Sequence, residues 1–149
     1  MNSNRKGSGL FAGPESAQRY GLRGLVVTGL LAAIAAMVAT TVAAALAQAA
    51  GVDFEVPEGG ETIPLGGFAV VTGVFSVMGV VIAVALRRWS ARPAERFVWT
   101  TVPLTAISFV PPLLSGAATA TVAGLIGLHL VASAVMISIL ARSLRQEPW

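Results

Sequence analysis

Three stretches of this chain, residues 24–52, 62–86 and 97–141, contain no Asp, Glu, Lys or Arg. A helix needs about 20 apolar residues to cross a hydrocarbon core of roughly 30 Å, so the first two stretches, of 29 and 25 residues, each cross once. The third runs for 45 residues. At a rise of about 1.5 Å per residue it is more than twice as long as the core is thick, and it must cross twice. Pro111, Pro112, Ser115 and Gly116 mark the place to turn. The fold expected is an all-α membrane protein: a four-transmembrane-helix bundle with spans at about 24–50, 63–86, 97–114 and 117–141. A short external β-hairpin-like loop joins helices 1 and 2.

Charge then orients the bundle. Of the ten basic residues, four precede the first span, four lie between the second and third, and two follow the fourth. Cytoplasmic loops of membrane proteins carry such an excess of Lys and Arg, so both termini are expected in the cytoplasm of a multi-pass protein of a bacterial inner membrane. Tyr20, Trp89 and Trp99 fall at that same end, where amphipathic rings prefer the headgroup level. Residues 1–18 read as a disordered cytoplasmic tail, 19–145 as one transmembrane domain and 146–149 as a C-terminal tail. The alanine-rich exit of the first span, Ala45-Leu46-Ala47, resembles a signal-peptide cleavage site. A signal h-region is only about 7–15 residues long, however, so an uncleaved helix is expected.

Composition removes several classes of function. Charged residues make up 11% of the chain and the mean hydropathy is +0.78, whereas soluble domains carry roughly 25% charge. The pI near 10.6 comes from arginines beside apolar spans, which face an anionic leaflet and not nucleic acid. The absence of cysteine rules out disulfides, thiolate catalysis, Fe–S clusters and Cys-ligated zinc within this chain. The partners expected are the lipid bilayer and a second copy of the chain or another membrane protein.

In the external loop, Val52-Asp53-Phe54-Glu55-Val56 alternates apolar with acidic, and Pro57-Glu58-Gly59-Gly60 supplies a turn. Glu61-Thr62-Ile63 can pair back, which makes a small hairpin with Val52, Phe54 and Val56 facing the helix ends. Its four carboxylates suit attraction of a cation or a basic partner, but they lack the spacing of a metal loop, and a solvated cap that keeps the loop outside is the reading expected.

The spans hold a single ionisable group, His129, near the centre of the fourth. Thr121, Leu125, His129 and Ser133 follow one i, i+4 ladder. An uncharged imidazole at that depth needs a hydrogen-bond partner, and a hydroxyl across the bundle is the expected one. Thr105 and Ser108 on the third span and Thr72 and Ser76 on the second complete the candidate polar core. Thr101, Thr40 and Thr41 add further hydroxyls. These groups suit two uses. One is a pocket for a quinone, a lipid headgroup or a haem, and a bis-His haem site would draw His129 from two subunits. The other is interhelical hydrogen bonding at about 0.6 kcal/mol per contact, which accounts for the same residues without a ligand. No cofactor, metal or catalytic residue is therefore expected.

Small residues form two ridges: Ala32, Ala36, Thr40 and Ala44 on the first span, and Gly116, Ala120 and Gly124 on the fourth. Such ridges let backbones approach closely. Pro103 frees the carbonyl of Trp99, while Pro111 and Pro112 free those of Ile107 and Ser108, and nearby hydroxyls are placed to cover that backbone.

Three motifs point to a family: Gly51-Val52-Asp53-Phe54-Glu55-Val56 with Ile63-Pro64-Leu65, Pro111-Pro112-Leu113-Leu114, and Thr121 followed by Leu128-His129-Leu130-Val131-Ala132. Through them residues 22–144 resemble an uncharacterised family of four-span bacterial membrane proteins, the domain of unknown function numbered 6069. The resemblance implies topology and says nothing of activity. By elimination the expected role is noncatalytic: a structural, assembly or accessory subunit acting through its helices and acidic loop. The alternative is a small-molecule, lipid or quinone-binding bundle built on His129 and the hydroxyl stripes.

Overall fold

A computed structural model describes residues 14–57 and 60–146. In chain order these form α1 (Pro14–Ala49), β1 (Glu55–Val56), β2 (Glu61–Thr62), α2 (Leu65–Trp89), α3 (Pro93–Ile107), α4 (Val110–Leu114) and α5 (Thr119–Gln146). Four helical segments are long and apolar enough to cross a membrane: Gly21–Ala49, Leu65–Trp89, Pro93–Leu114 and Thr119–Gln146. The molecule is the four-span helical bundle that the uncharged runs dictate. Large apolar side chains such as Leu31, Val74, Phe75 and Ile107 stand exposed along these helices, on surface that only lipid or another apolar helix solvates well.

Several ends differ from the sequence expectation. Residues 14–18, assigned to a disordered tail, begin α1, because Pro14 suits a first helical position. Residues 1–13 and 147–149, the rest of the two expected tails, lie outside the described residues. At the other end α5 runs on to Gln146, so Arg142 and Arg145 sit on its last turns. The third span is broken at Ser108 and Phe109, and the chain reverses over residues 115–118, where Gly116 takes φ +66°. Pro111 and Pro112 do not turn the chain. They open α4, where a missing N–H costs little.

Helix α1 is the most buried span and packs against α2 and α5. Its inner stripe of Leu25, Ala32, Ala36, Thr40 and Ala44 follows the i+3, i+4 spacing of one helix face. Gly29 lies on the same face: a Cβ there would stand 2.7 Å from Val80 Cγ2 and 3.3 Å from Leu140 Cδ2. Three helices therefore converge on one missing methyl. Where lipid is as apolar as the core, this shape fit carries the association.

The bundle has two apolar centres. Leu25, Ala32, Val80, Phe97 and Leu140 belong to the one nearer the arginines. Ala44, Phe54, Phe68 and Leu128 form the other, beneath the acidic loop. In that loop β1 and β2 pair antiparallel, Glu55 opposite Thr62 and Val56 opposite Glu61. The strand expected from residue 52 begins only at Glu55, because Phe54 adopts φ +47° and leaves extended geometry. That backbone turn drives its ring inward to full burial.

Candidate functional site

On α5 the His129 ring is half-buried, and its Nδ1 lies 2.7 Å from the Leu125 carbonyl oxygen. A carbonyl only accepts, so Nδ1 donates. The partner is thus a carbonyl one turn back on the same helix and not a hydroxyl across the bundle. The reason is geometric: helical side chains lean toward the N-terminus, which brings the ring over the i−4 carbonyl. Phe109, at the break between α3 and α4, meets the imidazole edge to face with centroids 6.2 Å apart. In the uncharged ring the remaining nitrogen, Nε2, carries a lone pair and no proton.

One turn further along α5, the Ser133 and Thr105 hydroxyls are 3.2 Å apart and join α5 to α3. Thr105 Oγ1 is also 2.9 Å from the Thr101 carbonyl, to which it donates its single proton. Ser133 is therefore the donor across the helix pair. Other hydroxyls turn back on their own helices: Thr101 to the Phe97 carbonyl at 2.7 Å, Ser108 to Thr105 at 2.6 Å and Thr41 to Met37 at 2.8 Å. Their acceptors on α1 and α3 do not include the carbonyls of Trp99, Ile107 or Ser108 that the prolines free, so these bonds do not cover that backbone as expected.

The candidate polar residues fall into separate places. Thr105, Ser108, His129 and Ser133, with Phe109 added, gather along the α3–α5 seam. Thr72 and Ser76 lie on the buried face of α2 in one stripe with Phe68 and Val80. Thr121 is buried near the start of α5. Thr40, on the buried stripe of α1, has a hydroxyl with no hydrogen-bond partner among the described residues. Within those residues no group of three or more metal-ligating side chains converges.

The two ends of the bundle are built in opposite ways. Under the acidic hairpin, the Phe54 and Phe68 rings meet edge to face at 5.0 Å. A Cβ on Gly124 would come within 2.9 Å of Phe54 Cε1 and 3.3 Å of Val52 Cγ1. This glycine, expected to seat a neighbouring helix, instead makes room for the loop's aromatic ring. The signal was present in the alternation of residues 52–56, although nothing in it named Gly124 as the socket. At the other end a cleft of about 500 Å³ opens between the first turn of α3 and the last turn of α5, walled by Arg92, Pro93, Glu95, Trp99, Leu144 and Arg145. In the sequence these arginines and Trp99 serve only as markers of topology. Their convergence brings together Arg92 and Arg145, which are 53 residues apart in the chain.

No curated protein and no solved structure matches the chain. Residues 21–146, which contain all four spans, the acidic hairpin and the arginine cleft, match the Family of unknown function (DUF6069), and the chain belongs to that family.

Proposed function

We propose that this protein is a noncatalytic structural, assembly or accessory subunit of a bacterial inner membrane, with both termini in the cytoplasm. One observation carries the reading: away from the arginine end the bundle is closed by its own side chains, with Phe54 filling the hairpin end, small residues filling the α1 seam and hydroxyls such as those of Thr101 and Thr105 bonded to their own helix. Such a body presents its outer helix faces and its acidic hairpin for recognition. The clustering of Arg87, Arg88, Arg92, Arg96, Arg142 and Arg145 at helix ends opposite the hairpin supports the orientation. Because the chain has no native cysteine, single labels report cleanly. Glu61→Cys is expected to react with an impermeant maleimide in intact cells, and Ser90→Cys only after permeabilisation. The reverse pattern would overturn the orientation. For the role itself, replacing Asp53, Glu55 and Glu61 by their amides is expected to release a copurifying membrane protein while the helical content stays unchanged. Retention of every partner would remove the hairpin from the proposal.

A second reading has its own observation, the His129 Nε2 left as an acceptor once Nδ1 is tied to Leu125. It suits a ligand that donates a hydrogen bond, such as a quinol or a lipid hydroxyl. His129→Phe is expected to abolish retention of that ligand in a folded protein. An unchanged lipid and quinone extract would dismiss this reading.

A further inference from the structure

The cleft at the arginine end differs in kind from the rest of the surface. It lies where the apolar spans stop, so in a bilayer it opens at headgroup level. Arg92, in the connection before α3, and Arg145, on the last turn of α5, both line it. A guanidinium offers five N–H donors in a fixed fork suited to the oxygens of a phosphate. Glu95, the one acid in the wall, lies 3.6 Å from Arg92 Nη1, and both side chains are largely exposed. The cleft lining therefore sums to one net positive charge, with Arg96 and Arg142 exposed on the neighbouring turns adding to the field. Buried Leu144 and Pro93 supply an apolar floor. At the mouth Trp99 is 74% exposed, and the exposed residues Val102 and Ala106 follow it at i+3 and i+4 steps toward the middle of α3.

We infer that this cleft is a binding site for an anionic phospholipid, its phosphate between Arg92 and Arg145 and an acyl chain along Trp99, Val102 and Ala106. The charge selects an anion. The apolar floor and the track leading from it select one that carries a hydrocarbon chain over free phosphate, which would leave both unused. Basic pockets between helices at a membrane surface have this character. The inference requires only the membrane-embedded bundle and is independent of the role and orientation proposed above.

Native mass spectrometry of the full detergent-extracted chain tests it, with phosphatidylglycerol, phosphatidylcholine and inorganic phosphate as separate probes. Phosphatidylglycerol is expected to be retained over phosphatidylcholine. Arg92→Gln and Arg145→Gln are expected to lower that retention about fivefold each and about twenty-fivefold together. Glu95→Gln, which removes the competing carboxylate, is expected to raise it. Arg23→Gln with Arg88→Gln, neither of which lines the cleft, is the control and is expected to change it less than twofold. An equal loss in that control would mean diffuse attraction to an anionic surface and would overturn the site. So would equal retention of the two lipids, or no gain in Glu95→Gln. Phosphate adducts dependent on Arg92 and Arg145 without any lipid preference would overturn the assignment to a lipid.

Discussion

The hairpin end and the arginine end of this bundle are built differently. At the hairpin end the chain folds its own aromatic ring into the bundle, with Phe54 wholly buried against Phe68 and Gly124. It accepts a left-handed φ at a phenylalanine to do so, a conformation that costs on the order of 1–3 kcal/mol and persists only where packing compensates. At the arginine end the α2–α3 connection is too short to fold inward, only Ser90, Ala91 and Arg92, and a gap remains with guanidiniums on its walls. A self-filled end contributes stability. An unfilled, charged end leaves room for something the membrane supplies.

The comparison breaks most directly at Phe54. Phe54→Ala is expected to destabilise the bundle by about 3–5 kcal/mol in denaturant unfolding from bicelles, less any relief of the backbone strain. A loss below 1 kcal/mol would mean that the ring is not what holds the hairpin down. Gly124→Val comes next, expected to cost about 1–3 kcal/mol by pushing into the ring. Combined with Phe54→Leu it is expected to cost less than the sum of the two single changes, because the smaller side chain returns the space. Additive losses would separate the two residues. Between the ends, Thr40→Val replaces a buried hydroxyl that has no partner among the described residues. It is expected to stabilise the protein by about 1 kcal/mol, and a loss instead would reveal that the hydroxyl is in use. Smallest is the open end: the exposed Arg92–Glu95 pair is worth about 0.2–1 kcal/mol, so Glu95→Gln should barely move stability. A large stability change there would show that the cleft is structural.

Much of the polar interior was legible as composition and little of it as connection. The i, i+4 ladder of Thr121, His129 and Ser133 placed these groups on one face of α5, from which Ser133 reaches Thr105. Yet His129 found its partner on its own helix, and Thr72 and Ser76 joined the buried stripe of α2 with Phe68 and Val80. A helical repeat gives the direction of a side chain relative to its axis. It does not give the identity of the helix on the other side.

What the sequence determined alone is the number and place of the spans. Hydrocarbon cannot solvate a peptide group or a guanidinium, so the length of each uncharged run between charged segments sets four apolar helices. The turn-forming residues between Pro57 and Gly60 likewise imply the hairpin locally. Tertiary structure alone decided that Phe54 enters a socket made by Gly124, that Gly29 admits Val80 and Leu140, and that Arg92 and Arg145 face one cleft. Each of these joins residues far apart in the chain, and only close packing of rigid helices, to within a few tenths of an ångström, determines whether such a pair meets, clashes or leaves a space.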